Sequence, residues 1–157
     1  MKNALLIVCV AGMGLISCKK DKFTSTPQIE FVDISPNVVT RNLLSTEKYL
    51  APVLTLKITD SEGDFGSPSP TDSSCIIIKH LLSNNIDSLK FPDLSRAPKN
   101  NFEAEIEINL FDALDCYAPG PARPRVDTIF YEVYVRDAKN KKSNVITTTK
   151  PVLKTCE

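Results

Sequence analysis

Apolar and polar residues alternate with a period of two along most of this chain, and a helical period persists nowhere. Phe102, Ala104, Ile106, Ile108 and Leu110 alternate with Glu103, Glu105, Glu107 and Asn109, the pattern of a half-buried strand. Leu54, Leu56 and Ile58 stand against Thr55, Lys57 and Thr59 in a second. Ile129, Tyr131, Val133 and Val135 form a third, opposite Thr128, Phe130, Glu132, Tyr134 and Arg136. Ile29, Phe31 and Ile34 mark a first strand ended by Pro36. The run Cys75-Ile76-Ile77-Ile78 reads as a strand covered on both faces, and residues 145–149 as a β-branched final strand. Residues 86–91 carry a weaker strand, unless 82–100 is an irregular connection; residues 39–49 admit a helical turn or two. Turn-rich segments at 61–74, 92–101, 116–125 and 137–143 separate these runs. About seven short strands with such connections predict an all-β, antiparallel sandwich.

The first residues follow another logic. Met1-Lys2-Asn3 is a short basic start, residues 4–15 are almost wholly apolar, and Leu15-Ile16-Ser17-Cys18 closes the segment. A spanning helix needs about 20 apolar residues, and this run meets Lys19-Lys20-Asp21-Lys22 too early. The segment is therefore expected to be a secretory signal. A small residue followed directly by cysteine resembles the lipobox of bacterial lipoproteins. That resemblance implies removal of residues 1–17 and acylation of Cys18 by diacylglycerol and a further chain such as palmitate. More than one chain gives firm anchoring. Residues 18–27 then form the lipidated cysteine and a polar tether, leaving residues 28–157 as one domain.

Composition narrows the partners. Nineteen basic residues balance 19 acidic ones, so nothing suggests nucleic acid. Cys75, Cys116 and Cys156 remain after Cys9 is cleaved away and Cys18 is lipidated, and three thiols in an oxidising compartment suggest one bridge with one left over. Zinc is disfavoured, because no C-x-x-C pair occurs.

The segment Asp127-Thr-Ile-Phe-Tyr-Glu-Val-Tyr-Val-Arg-Asp137, followed by Asn140, Ser143 and Asn144, resembles the sixth strand and turn of immunoglobulin-like and fibronectin-III-like domains. Leu54-Thr-Leu-Lys-Ile-Thr-Asp-Ser-Glu-Gly-Asp-Phe-Gly66 is similar to the second strand and its loop. With Ile16-Ser-Cys-Lys-Lys-Asp21, the chain resembles small Bacteroidota envelope lipoproteins carrying one such domain. The resemblance implies a lipid-anchored protein of the cell envelope, with the outer membrane expected and either face open. It implies that the loops after the second and sixth strands share a pole, which gathers Asp60, Glu62 and Asp64 near Asp137 and Asn140. Converging carboxylates suit calcium, a hard cation with 6–8 oxygen ligands; turn chemistry alone also accounts for these residues, and no other cofactor is implied. The same topology implies a Cys116–Cys156 bridge, with a Cys75 bridge as the alternative.

Catalysis finds little support. The single histidine, His80, reads as a half-exposed strand residue without a nucleophile partner, and Glu103, Glu105 and Glu107 as a solvated face. No glycine-rich phosphate loop occurs. The chain has no tryptophan, against a glycan-stacking platform, and Phe65, Tyr117, Phe130 and Tyr134 are the aromatics expected at the surface. A non-catalytic binding module in the membrane, through acylated Cys18, is the leading expectation. A structural subunit that docks to another envelope protein and takes no small ligand is the alternative.

Overall fold

The computed structural model describes residues 22–67, 69, 71–117 and 122–157. The expected signal segment and the expected lipidation site Cys18 lie outside the described residues. The protein is all-β, and the described residues form ten strands in three sheets.

The first sheet has the order β1-β3-β6, built from β1 (Gln28–Ser35), β3 (Val53–Asp60) and β6 (Phe102–Asn109). Both pairings are antiparallel, with Leu56 opposite Phe31 and Ile106. The even positions Leu54, Leu56 and Ile58 are fully buried, while Glu103, Glu105 and Glu107 look outward. The second sheet has the order β5-β4-β8-β9, from β4 (Cys75–His80), β5 (Ile86–Lys90), β8 (Tyr131–Arg136) and β9 (Ile146–Thr147). Ile76 faces Val135 and Ile78 faces Val133 across the central pair. The third sheet joins β2 (Val38–Val39), β10 (Val152–Cys156) and β7 (Arg125–Ile129), with β2 parallel and β7 antiparallel to β10. Only Phe130 separates β7 from β8, so the chain passes from the third sheet into the second almost without a break. One apolar core collects side chains from all three sheets, among them Ile34, Leu54, Ile78, Val133 and Val152.

Four local expectations change. Residues 75–78 are not covered on both faces: Ile76 and Ile78 are buried, Cys75 and Ile77 half-buried. The helical turn or two admitted at 39–49 is present but shortened and shifted, as a 3-10 turn at Ser45–Leu50 after the two-residue strand β2, with Glu47 bridging Arg41 and the Leu44 N–H. The chain does not end its pairing at residue 149, because β10 follows Pro151. Its inward set is Val152, Lys154 and Cys156. A buried lysine interrupts the apolar alternation, which hides the strand from a periodicity reading. The same third sheet draws Arg125 out of the expected 116–125 turn region into β7.

Candidate functional site: an acidic pole and a polar recess

β3 delivers Asp60 inward at its last position, because alternation continues from Leu54, Leu56 and Ile58. The chain turns immediately: Asp60 Oδ2 accepts the Glu62 N–H at 3.0 Å and the Gly63 N–H at 2.7 Å. Gly63 has φ 59°, and a Cβ there would lie 2.9 Å from the Pro98 carbonyl oxygen, so both conformation and space demand glycine. Phe65 then plugs the loop into the core, its ring 5.0 Å from Phe91 and 5.5 Å from Phe102. Its expected exposure is thus overturned, since the loop needs an apolar anchor beneath it.

The loop after β8 lies alongside. The Ala138 N–H donates to the Asp64 carbonyl at 3.0 Å, and Asp137 Oδ1 accepts the Lys141 N–H at 2.7 Å. Asn140, with φ 64°, accepts Arg136 Nη1 on Oδ1 at 3.0 Å and acts as a turn residue. Glu62 is held by Lys139 and by Lys141, the latter at 3.0 Å, and these ammonium groups keep its carboxyl below the usual range. Burial, reinforced by the Asp64 charge, pushes Asp137 up. The structure therefore brings Asp60, Glu62, Asp64 and Asp137 to one pole. It satisfies Glu62 with cations and leaves Asp60 Oδ1, Asp137 Oδ2 and both Asp64 carboxylate oxygens buried without a hydrogen bond.

The other end of the molecule carries a recess of about 710 Å³, which sequence reasoning did not anticipate. β4 and β6 start at the acidic pole and end here, so about 20–25 Å separates the two ends. Ser83, Asn85, Asp115, Tyr117, Arg123 and Lys154 contribute to its wall. Lys154 is buried and donates to the Arg41 carbonyl at 3.3 Å and Asn42 Oδ1 at 3.1 Å; burial pushes its pKa down, against the pull of Asp115 and Asp127. Arg125 Nε donates to Asp127 Oδ1 at 2.6 Å and holds that carboxyl below its usual range, while Asp127 Oδ2 accepts the Tyr117 N–H at 3.0 Å. This pair fixes the segment beside the Cys116–Cys156 disulfide, whose Cα atoms lie 6.0 Å apart. Cys75 is a free, half-buried thiol at the acidic end. Among the described residues, the one set of three metal-ligating atoms within 4.8 Å of each other is Cys116, Asp127 and Cys156, whose sulfurs are bonded to each other.

His80 is not half-exposed. It continues the inward face of β4 after Ile76 and Ile78, is 1% exposed, and lies edge-on to Tyr131 at 5.7 Å. Its Nδ1 accepts the Ser83 N–H at 3.0 Å, and Nε2 has no hydrogen-bond partner. Burial pushes its pKa below the usual 6.5. Glu103 pairs with Lys57 at 2.8 Å on the solvated face of β6. Tyr134 is half-buried, with Lys142 Nζ over its ring at 3.9 Å. No family model, curated protein or solved structure matches the chain.

Proposed function

We propose that the chain is a lipid-anchored, non-catalytic binding module of a bacterial cell envelope that offers its far pole to a ligand. An immunoglobulin-like sandwich is its proposed framework. Supporting that framework, β1-β3-β6 and β5-β4-β8-β9 reproduce the first-second-fifth and third-sixth-seventh strand neighbours of such a sandwich. The parallel pairing of β2 with β10 is the contact of a first strand that switches sheets.

The observation that carries the functional reading is where the N-terminal segment enters. The Ser61 N–H donates to the Thr24 carbonyl at 2.9 Å, and Lys22 pairs with Glu103 at 2.5 Å, so the tether leaves from the acidic pole. Four residues from Lys22 back to Cys18 reach at most about 14 Å. An acylated Cys18 then holds the acidic pole near the headgroups and points the recess away from the membrane. Rigid strands presenting a concave, polar-lined end to solvent is a common arrangement for recognition.

The test uses the full chain, expressed with labelled palmitate and reconstituted in vesicles. A Cys18→Ala variant should lose the label and leave the membrane fraction. On a Cys75→Ser background, a fluorophore on Ser95→Cys at the acidic end should be quenched by headgroup-level quenchers, and one on Asn85→Cys at the recess should not. Equal quenching of both refutes the orientation.

The assembly-subunit reading has its own observation. Among the described residues β5 pairs only with β4, and Ile86 on it is 65% exposed, so there the second sheet ends in an open edge that another chain can extend. Loss of a co-purifying envelope protein in Ile86→Lys, with the recess intact, would favour it.

A further inference from the structure

Carboxylates at a turn are ordinary, but those at the acidic pole are arranged in an unusual way. Asp60 and Asp137 are both 0% exposed. Each spends one oxygen on backbone N–H groups of its own turn and leaves the other, Asp60 Oδ1 and Asp137 Oδ2, buried with no hydrogen bond. Asp64, whose charge acts on Asp137, also has both oxygens buried and without a hydrogen bond. Buried carboxylate oxygens left in this condition are costly unless a cation takes them up.

The neighbouring cations meet this need only in part. Lys139 and Lys141 both pair with Glu62, and Lys141 also donates to the Ser25 carbonyl at 2.9 Å. Lys139 Nζ stays 3.6 Å from Asp64 Oδ2, beyond hydrogen-bond reach. Arg136 is turned to Asn140 and the Tyr134 ring. The basic residues thus neutralise the outer acid, Glu62, reach Asp64 through one long ion pair, and among the described residues make no ion pair with Asp60 or Asp137.

We propose that Asp60, Asp64 and Asp137 form a calcium site that fastens the 61–74 loop to the 137–145 loop. The available donors are hard oxygens without nitrogen or sulfur, which favours calcium over zinc. Loop backbones supply further carbonyl ligands and water completes the shell, within the flexible coordination that calcium accepts and magnesium does not. The three carboxylates do not all lie within 4.8 Å of one another, so an ion shared by all three draws the half-buried Asp64 side chain inward. The Ala138 N–H to Asp64 carbonyl bond already ties the two loops at the right place for that swing. The site is independent of what the far pole binds, and each reading can fail without the other.

The experiment is calorimetric titration of calcium into the full-length chain in detergent, paired with thermal melts in chelator and in about 5 mM calcium. That concentration exceeds dissociation constants of roughly 10⁻⁴–10⁻³ M seen in extracellular calcium modules. One ion per chain and a higher melting temperature in calcium are expected. Asp64→Asn is the informative variant, because its carboxylate oxygens make no hydrogen bond that folding needs. It should bind calcium at least about tenfold more weakly, while its melting temperature in chelator equals or exceeds that of the parent. Glu103→Gln, an acid on the exposed face of β6, should bind like the parent. Absence of stoichiometric binding, equal affinity of Asp64→Asn and parent, or an equal shift with magnesium would each overturn the proposal.

Discussion

Removing the Cys116–Cys156 bridge tests how much of the stability resides in one covalent link. The bridge spans 40 residues of sequence and joins the segment before β7 to the last residue of β10. In the loop-entropy account, cutting a loop of that size returns about 13 cal/mol/K to the unfolded chain, or about 4 kcal/mol at 25 °C. That is a large share of the roughly 5–15 kcal/mol by which domains are stable. Unfolding about 130 residues releases roughly 0.27 kcal/mol/K near the transition, so the melting temperature should fall by about 15 °C. Native pairing should persist, because β10 is held along its length by β7, from Val152 opposite Ile129 to Cys156 opposite Arg125, and by β2. The assay is circular-dichroism melting and urea unfolding of the Cys116→Ala/Cys156→Ala pair on a Cys75→Ser background, which prevents disulfide exchange. A steeper urea dependence should accompany the loss, since the uncrosslinked chain exposes more surface. A loss below about 1 kcal/mol with an unchanged slope would refute the entropic argument.

Two further changes probe the ends of the molecule. Gly66→Ala, at φ 58° with a Cβ placed 2.2 Å from the Pro92 carbonyl oxygen, should cost about 3 kcal/mol in urea unfolding; a cost under about 0.5 kcal/mol would mean that the 61–74 loop does not pack on the 91–101 connection. His80 contributes a pH dependence whose sign follows from its lowered pKa: the unfolded chain takes up the proton first, so stability is flat above the usual 6.5 and declines as pH falls below it toward the folded value. His80→Asn, whose Oδ1 can still accept the Ser83 N–H, should remove that decline; equal losses for variant and parent between pH 7.5 and 5.5 would refute it.

Legibility divides along a physical line between local and non-local information. The alternation of Leu54 to Thr59, Phe102 to Ile108 and Tyr131 to Val135 is local, and β3, β6 and β8 turn those apolar positions inward. Period-two patterning fails where a polar side chain points inward. His80 and Lys154 occupy core-facing strand positions, and only the surrounding chain, through the Ser83 N–H for one and the Arg41 and Asn42 oxygens for the other, makes those positions tolerable. Phe65 reads as a surface aromatic because it lies in a turn-rich loop, yet Phe91 and Phe102 from distant segments close over it.

The candidate sites show the same division. Acidic residues at a strand end and after a later strand can be named from sequence. Which of them find a cation cannot, because the lysines that satisfy Glu62 return from 77 and 79 residues away. The recess is built from five separated stretches of chain and has no motif at all. By itself the sequence determined the all-β class and the inward faces of its strongest strands, because alternation needs only neighbouring residues. Tertiary structure alone decided the exact strand registers and which carboxylates are left unsatisfied, because these depend on where the chain comes back to itself.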